Sequence, residues 1–324
     1  MSNNMTQRDA FFERLYDLAR EDRDVVIVAA DMSAPALDKF RTDLPGQFVN
    51  VGIAEQNAIQ IASGLALTGK KAFAYAISPF ITLRCLEQIR VSNAIMGIPI
   101  AIVGMGTGFS YCSDGPTHHL IEDLAVMRAF PNIRIVNVTD NTMARAMADI
   151  ACNGRGATYI RLDKDPHPDL YEPDTDFEEG VAKILEGERY VVSSGPMVHV
   201  VREVIESLDA DDVGLIDLHT LPINVPAFLK QIEGARGLLT VEEHFLPGGL
   251  GSAVLEVLCD HGLSMPVRRI GIDIALGYTH CYKYGGRDVI RSHYGIDSQN
   301  IAAAITTWRQ KQTRAQEKEQ WLVR

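Results

Sequence analysis

Length, composition and charge set the first limits. The chain has 324 residues, 46% hydrophobic and 23% charged, as is typical of a globular protein with room for two domains. The net charge of −11 argues against binding to nucleic acid or anionic membranes, because both require a basic face. The five cysteines are scattered, without a CxxC or Cys/His spacing, which favours reduced thiols in a cytoplasmic protein over disulfides or a zinc site.

The first half of the chain alternates helix and strand patterns, which indicates a parallel sheet covered by helices. The helix patterns are RDAFFERLYDLAREDRD, IAEQNAIQIASGLALTG, ITLRCLEQIRVSNAIMG, IEDLAVMRAFP and NTMARAMADIACNG. The strand patterns are VVIVAAD, KAFAYAI, IPIAIVGM, IRIVNV and ATYIRL. Residues 91–113 carry no charge over about the length of a membrane-spanning helix, but glycines and Pro99 interrupt them. We therefore expect a buried strand between turns there.

A change of composition divides the chain at residues 163–180, where three prolines and eight acids predict an exposed linker. The alternation then resumes with the strand patterns RYVVSSG, VGLIDLH and GLLTVEE and the helix patterns PMVHVVREVIESL, AFLKQIEG and GSAVLEVLCDHG. The sequence thus predicts two consecutive three-layer α/β domains with mostly parallel sheets, over residues 1–165 and 180–305. A polar helical tail at residues 308–324 is expected to be partly disordered.

Two glycine-rich stretches could suggest phosphate binding. GMGTG, at residues 104–108, follows a strand pattern, but no helix opens on it and its third glycine falls one place too early for a dinucleotide fingerprint. PGGLGSAVLEVL, at residues 247–258, could hold an anion at a helix start, although a tight helix entry is the better explanation. P-loop, GxSxG and HExxH motifs are absent from the sequence.

The string CSDGPTHHLIEDLAVMR, at residues 112–128, is a better candidate for chemistry. Asp114, Gly115, Pro116 and Thr117 predict a rigid turn, and His118 follows it directly. Such a turn presents an acid and an imidazole at a fixed separation. A helix cap or a surface histidine is the simpler alternative, but it explains the whole cassette less well.

A second candidate is the carboxylate of Glu55, which lies in VNVGIAEQNAIQIASGLALTGK among small and apolar residues. An acid in this setting is exposed at a loop, neutralised by a partner or kept protonated for a purpose. The local sequence leaves these three explanations open.

Three strings in order identify a family. VGIAEQNAIQIASGLALTG, SPFITLRCLEQIR and DGPTHHLIEDLAVMRAFPNIRIV resemble the transketolase superfamily of thiamine-diphosphate enzymes. The likeness extends over nearly all of residues 6–305, and Glu55 precedes Phe80 by 25 residues and His118 by 63, close to the family spacing. The resemblance implies a pyrimidine-binding domain followed by a transketolase C-terminal domain.

The resemblance also implies the residues that bind the cofactor. The glutamate that matches Glu55 hydrogen-bonds N1′ of the aminopyrimidine, and the apolar setting suits this role because a buried carboxyl with few charged neighbours can share a proton at neutral pH. Phe80 matches the aromatic residue that stacks on the pyrimidine, although a plain core phenylalanine is the alternative. Ile77, at the end of KAFAYAI, completes the expected cofactor contacts.

The expected substrate contacts follow in the same way. His118 should lie beside the reacting carbon and assist proton transfer, and Asp114 should hold a substrate hydroxyl. Arg161, in TYIRLD, and Arg8, in TQRDAF, match basic positions that bind the substrate's phosphate or distal end. Arg8 could equally be a solvated residue at a helix start.

A partner subunit is implied by what the sequence lacks. In the family a GDG motif in another domain holds the diphosphate and Mg²⁺, and GDG does not occur in this sequence. We therefore expect the second half of a split enzyme, which completes its site with a GDG-containing subunit in an assembly of two copies of each chain.

The implied reaction is transfer of a two-carbon ketol unit from a ketose to an aldehyde acceptor. A histidine of ordinary transketolases falls at Gly106 here and a serine at Ala29, which predicts an unusual sugar substrate. The alternatives are the β subunit of a 2-oxoacid dehydrogenase and a catalytically silent partner subunit. The cassette with Asp114 favours the ketol transferase.

Overall fold

A computed structural model of the chain describes residues 5–322. The strands of the first domain are β1 (Val25–Ala29), β2 (Phe48–Asn50), β3 (Lys71–Ile77), β4 (Ala101–Met105), β5 (Ile133–Asn137) and β6 (Ala157–Leu162). Its helices are α1 (Gln7–Glu21), α2 (Pro35–Asp43), α3 (Glu55–Leu67), α4 (Ser78–Ile81), α5 (Leu86–Gln88), α6 (Asp123–Met127) and α7 (Asn141–Asn153). Short 3₁₀ turns lie at Pro45–Gln47 and Leu83–Cys85, and a π-helix lies at Ile89–Ile95.

The second domain has the strands β7 (Ala182–Leu185), β8 (Arg189–Ser193), β9 (Val213–Asp217), β10 (Thr220–Leu221), β11 (Leu238–Phe245) and β12 (Val267–Ile272). Its helices are α8 (Met197–Ser207), α9 (Val225–Gln231), α10 (Leu250–Asp260), α11 (Arg287–His293) and α12 (Ser298–Leu322), with a 3₁₀ turn at Ile274–Leu276.

Within the described residues the strands form two sheets. The first has the order β10-β5-β6-β4-β3-β1-β2 and the second the order β12-β11-β8-β9-β7. All neighbours are parallel except β10 with β5 and β7 with β9. The apolar runs of β1 and β4 are buried throughout, as parallel strands with helices on both faces require. The predicted fold class is confirmed. Because β10 comes from the second domain, the first sheet also joins the two domains.

Two apolar clusters cover the two faces of the first sheet. One contains Phe11, Phe12 and Phe73 beneath α1 and α7, and the other contains Ile59 and Ile81 beneath α3 and α4. Rings of Phe11 and Phe12 pack edge to face with centroids 5.3 Å apart, in the geometry that aromatic pairs favour. Both rings also pack edge to face on aromatic residues of β3. The carboxyl end of β3 carries the first candidate site residues.

The segment after β3 differs from the prediction of one continuous helix. The chain instead passes through α4, a 3₁₀ turn, α5 and the π-helix. The break falls at Thr82, whose φ of −108° and ψ of −76° depart from helical values. Phe80 and Arg84 lie on either side of this break, and their side chains contact each other.

The uncharged residues 91–113 form the end of the π-helix, a turn at Gly97 and the buried strand β4, as the glycine pattern predicts. Gly97 has a φ of +69°, which only glycine adopts at little cost. Along the described part of the chain, no helix has both the length and the apolar character needed to cross a bilayer.

The linker and the tail also differ in part from expectation. Residues 163–180 contain no strand or helix, but Asp163 and Phe177 are buried, so the linker is anchored to the protein. The helix α12 runs through the predicted boundary of the tail, with Trp308 buried against α8 and its neighbours. The last two residues of the predicted tail, 323–324, lie outside the described residues.

Candidate active site

Four chain segments meet at the carboxyl edge of the first sheet. Glu55 opens α3 after β2, Phe80 follows β3, the cassette with His118 follows β4, and Lys164 follows β6. Parallel strands end at one common edge, where open α/β sheets bind their ligands. The topology therefore brings together residues that are up to about 110 positions apart in sequence.

Glu55 is buried at the first position of α3, and its side chain is 5% exposed. A carboxylate in the first turn of a helix is favoured by the helix dipole. Nη1 of Arg84 donates a hydrogen bond to Oε2 of Glu55 at 2.7 Å. The expectation that Glu55 has few charged neighbours is therefore wrong, because the guanidinium of Arg84 is paired with it.

Arg84 also contacts the ring of Phe80. Its guanidinium carbon lies 4.2 Å from the ring centroid, and its side chain is 44% exposed. The ring of His118 also contacts Phe80, with the two centroids 5.0 Å apart and the rings in an edge-to-face arrangement. Glu55, Phe80, Arg84 and His118 thus form one contiguous group, which we call the Glu55 cluster. Ile77 ends β3 three residues before Phe80 and is half-buried.

The cassette forms the turn that its sequence predicts. Gly115 has a φ of +82°, and the backbone N–H of His118 donates to the carbonyl of Gly115 at 3.0 Å. The Nδ1 atom of His118 lies 3.1 Å from the hydroxyl of Thr117, which orients the imidazole. Asp114 is exposed and accepts a hydrogen bond from Ser113 at 3.2 Å. Both candidate substrate ligands of the cassette are therefore accessible.

An aromatic ring fills the space beside Gly106. This residue has a φ of +91°, and a Cβ atom there would lie 2.3 Å from the ring of Tyr111. The Tyr111 ring centroid is 5.9 Å from that of His118, and Nζ of Lys164 lies 4.7 Å from the same Tyr111 centroid. The place where ordinary transketolases are expected to have a histidine is therefore covered by a tyrosine that carries an ammonium group on its face.

Arg8 lies near this tyrosine. Burial raises the pKa of Tyr111, and the positive charge of nearby Arg8 opposes that rise. The Nε atom of Arg8 donates to Asp9 at 2.9 Å, and its side chain is 25% exposed. Lys164 therefore brings a cationic group to this side of the site, whereas the charge of Arg8 is paired with Asp9.

Arg161 does not join the Glu55 cluster. It is 3% exposed, and its Nε and Nη2 atoms donate to Asp123 at 2.7 and 3.0 Å. Tyr159 donates to the same carboxylate at 2.9 Å. A buried guanidinium needs its carboxylate partner, so Arg161 is committed to Asp123 and is shielded from a substrate. This position corrects the expected role, and Arg161 is excluded from the substrate ligands proposed below.

The second domain holds the loop that follows β4. Arg287 donates to the carbonyl of Thr107 at 3.2 Å and to Asp163 at 2.8 Å, and it is paired with Glu243 at 2.5 Å. Burial alone would raise the pKa of Asp163, but the charge of Arg287 outweighs it and holds that pKa below its usual range. A Cβ at Gly108 would meet Glu243 at 2.1 Å, which explains the glycine. This ion network fixes the loop that carries Tyr111.

Comparison with known protein families divides the chain into the same two domains as the fold. The pattern of the transketolase pyrimidine-binding domain matches residues 3–168, and that of the transketolase C-terminal domain matches residues 181–301. The chain belongs to the transketolase family. Members of this family depend on thiamine diphosphate and transfer ketol groups, so the expected family and cofactor class are confirmed.

Several transketolase subunits match this chain over nearly their whole length. An apulose-4-phosphate transketolase subunit of Phocaeicola vulgatus is 35% identical, over 93% of this chain and 97% of that protein. A 6-deoxy-6-sulfo-D-fructose transketolase subunit of a Clostridium species is 29% identical, over 92% of each. A solved structure described as a split gene transketolase, inactive beta4 tetramer, is 30% identical with a TM-score of 0.82, over 94% of this chain and 98% of that one.

The transketolase cofactor can be tested against the Glu55 cluster. The guanidinium of Arg84 is a planar group with N–H donors, and it fits between the Glu55 carboxylate and the Phe80 ring. An aminopyrimidine is such a group, so these residues fit the pyrimidine half of thiamine diphosphate. Sequence reasoning missed Arg84, Tyr111 and Lys164 as members of this site, although each lies within six residues of a motif residue that it recognised.

Proposed function

We propose that this chain is the pyrimidine-side subunit of a two-component transketolase, which moves a two-carbon ketol unit from a ketose donor to an aldehyde acceptor. The observation that carries the proposal is buried Glu55, linked through Arg84 to Phe80 and His118, in a chain that matches the pyrimidine-binding and C-terminal domains. Relatives named as transketolase subunits cover almost the same length and support it.

Thiamine diphosphate, when bound, supplies a nucleophilic carbon and an electron sink for breaking a carbon–carbon bond. Glu55 would hold the proton shared with the pyrimidine nitrogen N1′. Phe80 and Ile77 would orient the pyrimidine ring, and the Glu55 side chain is already shielded from water. His118 would exchange a proton with a substrate hydroxyl, and Asp114 would hold a hydroxyl of the same sugar. These roles follow the positions of the side chains at the sheet edge.

We propose that a GDG-containing subunit covers the open side of the Glu55 cluster and holds the diphosphate and Mg²⁺. Ile53 beside Glu55 is 79% exposed, and exposed apolar residues continue on α3 and the π-helix as Leu67 at 69%, Ile95 at 59% and, directly after it, Met96 at 63%. A patch of this kind is typical of a protein interface. We infer an assembly of two copies of each chain. A cytoplasmic location agrees with the five cysteines, all of which are described and unpaired.

We further propose that the substrate carries an anionic group at its distal end. Lys164 lies on the face of Tyr111, and Arg8, which is paired with Asp9, lies near the same ring, so both could meet an anion at that end. Two of the relatives above are named for anionic sugars, one for a sugar phosphate and the other for a sugar sulfonate. The ring of Tyr111 at Gly106 would set the shape of this end, since it fills the space of the expected histidine.

Ketol transfer by the complete enzyme tests the proposal. The chain should be co-purified with a GDG-containing partner and assayed with phosphorylated, sulfonated and neutral ketoses. We expect transfer from an anionic ketose, and about a tenfold higher KM for it in Lys164→Ala, as the loss of one charge-assisted contact predicts. The matched variant Lys230→Ala alters an exposed lysine on α9 and should leave KM unchanged.

Other outcomes of this assay would support the alternatives. Decarboxylation of a 2-oxoacid without ketol transfer would identify the β subunit of a 2-oxoacid dehydrogenase. Stable association with the partner and no turnover on any substrate would identify a silent subunit. Either outcome would contradict the proposed function.

A further inference from the structure

Arg84 makes two contacts at once in the Glu55 cluster. Its Nη1 donates to Glu55 at 2.7 Å, and its guanidinium carbon lies 4.2 Å from the centroid of the Phe80 ring. The first contact is a charge-assisted hydrogen bond and the second is a cation–π contact. One planar, nitrogen-bearing group therefore satisfies both residues.

These are the two contacts that the proposed function assigns to the aminopyrimidine of thiamine diphosphate. That ring would likewise place its nitrogen-bearing edge against Glu55 and its flat face on the ring of Phe80. Glu55 is 5% exposed, so little of its carboxylate is left for a second donor while Arg84 is in place. Both groups cannot make these contacts together.

We propose that Arg84 is an internal placeholder for the aminopyrimidine, which must displace the guanidinium to reach Glu55 and Phe80. This inference rests on the proposed function only for the class of ligand. Arg84 keeps the Glu55 carboxylate paired until the pyrimidine arrives, and it thereby lowers the apparent affinity of the subunit for the pyrimidine.

The surroundings of Arg84 allow it to leave. Its side chain is 44% exposed and lies on the short 3₁₀ turn Leu83–Cys85, next to the break at Thr82. Its guanidinium is hydrogen-bonded to Glu55, while its backbone carbonyl accepts from Gln56 at 3.1 Å. The side chain can therefore swing into solvent without breaking the backbone contact.

The change in apparent Kd depends on the fraction of time for which the Arg84 guanidinium occupies the site. A guanidinium that fills the site for about nine-tenths of the time raises the apparent Kd of a competing ligand about tenfold. Removing the guanidinium should remove that factor. Lysine should have an intermediate effect, because it retains the charge but cannot stack as a plane.

A pyrimidine fragment tests the placeholder directly. The full chain should be titrated with 4-amino-5-hydroxymethyl-2-methylpyrimidine, with chemical-shift changes or calorimetry as the readout, so that neither turnover nor the partner is required. We expect Arg84→Ala to bind about tenfold more tightly than the unmodified chain, with Arg84→Lys between the two. Arg90→Ala removes an exposed arginine of the neighbouring π-helix and should match the unmodified chain.

Three results would overturn the placeholder. These are equal affinity in Arg84→Ala, weaker binding in that variant, and no binding by that variant although circular dichroism shows it folded. Weaker binding would mean that Arg84 helps to hold the pyrimidine. Failure of the proposed function is a separate result, because it would appear as missing ketol transfer in the complex and not in the ratio of fragment affinities.

Discussion

Two arginine–carboxylate pairs in the first domain share their chemistry and differ in exposure. Arg161 and Asp123 are 3% and 0% exposed and are joined by two hydrogen bonds, with Tyr159 on the same carboxylate. Arg84 and Glu55 are 44% and 5% exposed and are joined by one. The first pair is sealed inside the fold, whereas the second has one partner that can leave.

The comparison indicates that burial separates ion pairs that stabilise the fold from ion pairs that can exchange a partner for a ligand. Breaking a fully buried pair leaves a charge that neither water nor a countercharge stabilises. Such a pair therefore serves the stability of the fold and is not available to a ligand. A half-exposed arginine returns to water when it leaves, so its carboxylate stays available to a ligand. Asp217 is a third case, since it is fully buried and no arginine among the described residues is paired with it. Burial raises its pKa to about 7, against hydrogen bonds from Thr139 and Tyr171 that lower it.

Replacing the carboxylate of the exchangeable pair should have the largest effect. We expect Glu55→Gln to lower ketol transfer by the complete enzyme about a thousandfold, because an amide cannot share the proton of the pyrimidine nitrogen. Size-exclusion chromatography should show that the two subunits still associate. Glu87→Gln alters an exposed acid of α5 and serves as the control. Full activity of Glu55→Gln would contradict the assignment of this residue.

The sealed pair should matter for stability instead. Asp123→Asn leaves the Arg161 guanidinium buried without a countercharge, and we expect it to lower the free energy of unfolding by about 3–5 kcal/mol. Arg84→Gln should lower it by less than about 1 kcal/mol, because the side chain that is replaced already contacts solvent. Urea denaturation of both variants measures the contrast. Equal losses would show that the two pairs do not differ as their exposure suggests.

Asp217 should add a pH dependence that neither arginine pair produces. Its raised pKa means that the folded chain retains a proton that the unfolded chain releases between about pH 4 and 7. This contribution stabilises the fold below that window and is lost as the pH rises through it. Compared with Asp217→Asn, the unmodified chain should therefore lose about 2 kcal/mol more between about pH 5 and 7.

The control for this prediction is Asp174→Asn, which alters an exposed acid of the linker and should retain the pH dependence of the unmodified chain. Unfolding curves at several pH values provide the measurement. An unchanged slope in Asp217→Asn would show that the carboxylate does not titrate in this window.

Much of the fold, and the candidate residues that the structure brings together at the sheet edge, could be predicted from the sequence, because their signals are local. The apolar run of β1 and the helix pattern of α3 each lie within one window, and the Glu55, Phe80 and His118 motifs have a recognisable spacing. The strand β10 could not be predicted, since two residues that pair with β5 from the other domain have no periodicity of their own.

The partners of the charged residues could not be predicted either. Arg161 stands at the end of an apolar strand like a ligand-binding residue, and its partner Asp123 lies 38 positions earlier. Arg84 lies 29 positions after Glu55 on a different element, so no local sequence pattern indicates their contact. Burial and pairing of charges are properties of the three-dimensional arrangement, and the sequence carries only the residue types.

The split site is the central claim, and cofactor binding tests it most directly. Calorimetry should compare thiamine diphosphate with Mg²⁺ titrated into this chain alone and into its complex with a GDG-containing subunit. We predict weak binding by the chain alone and tight binding by the complex, because Glu55 and Phe80 would contact only the pyrimidine side. Tight binding by the chain alone would contradict the account.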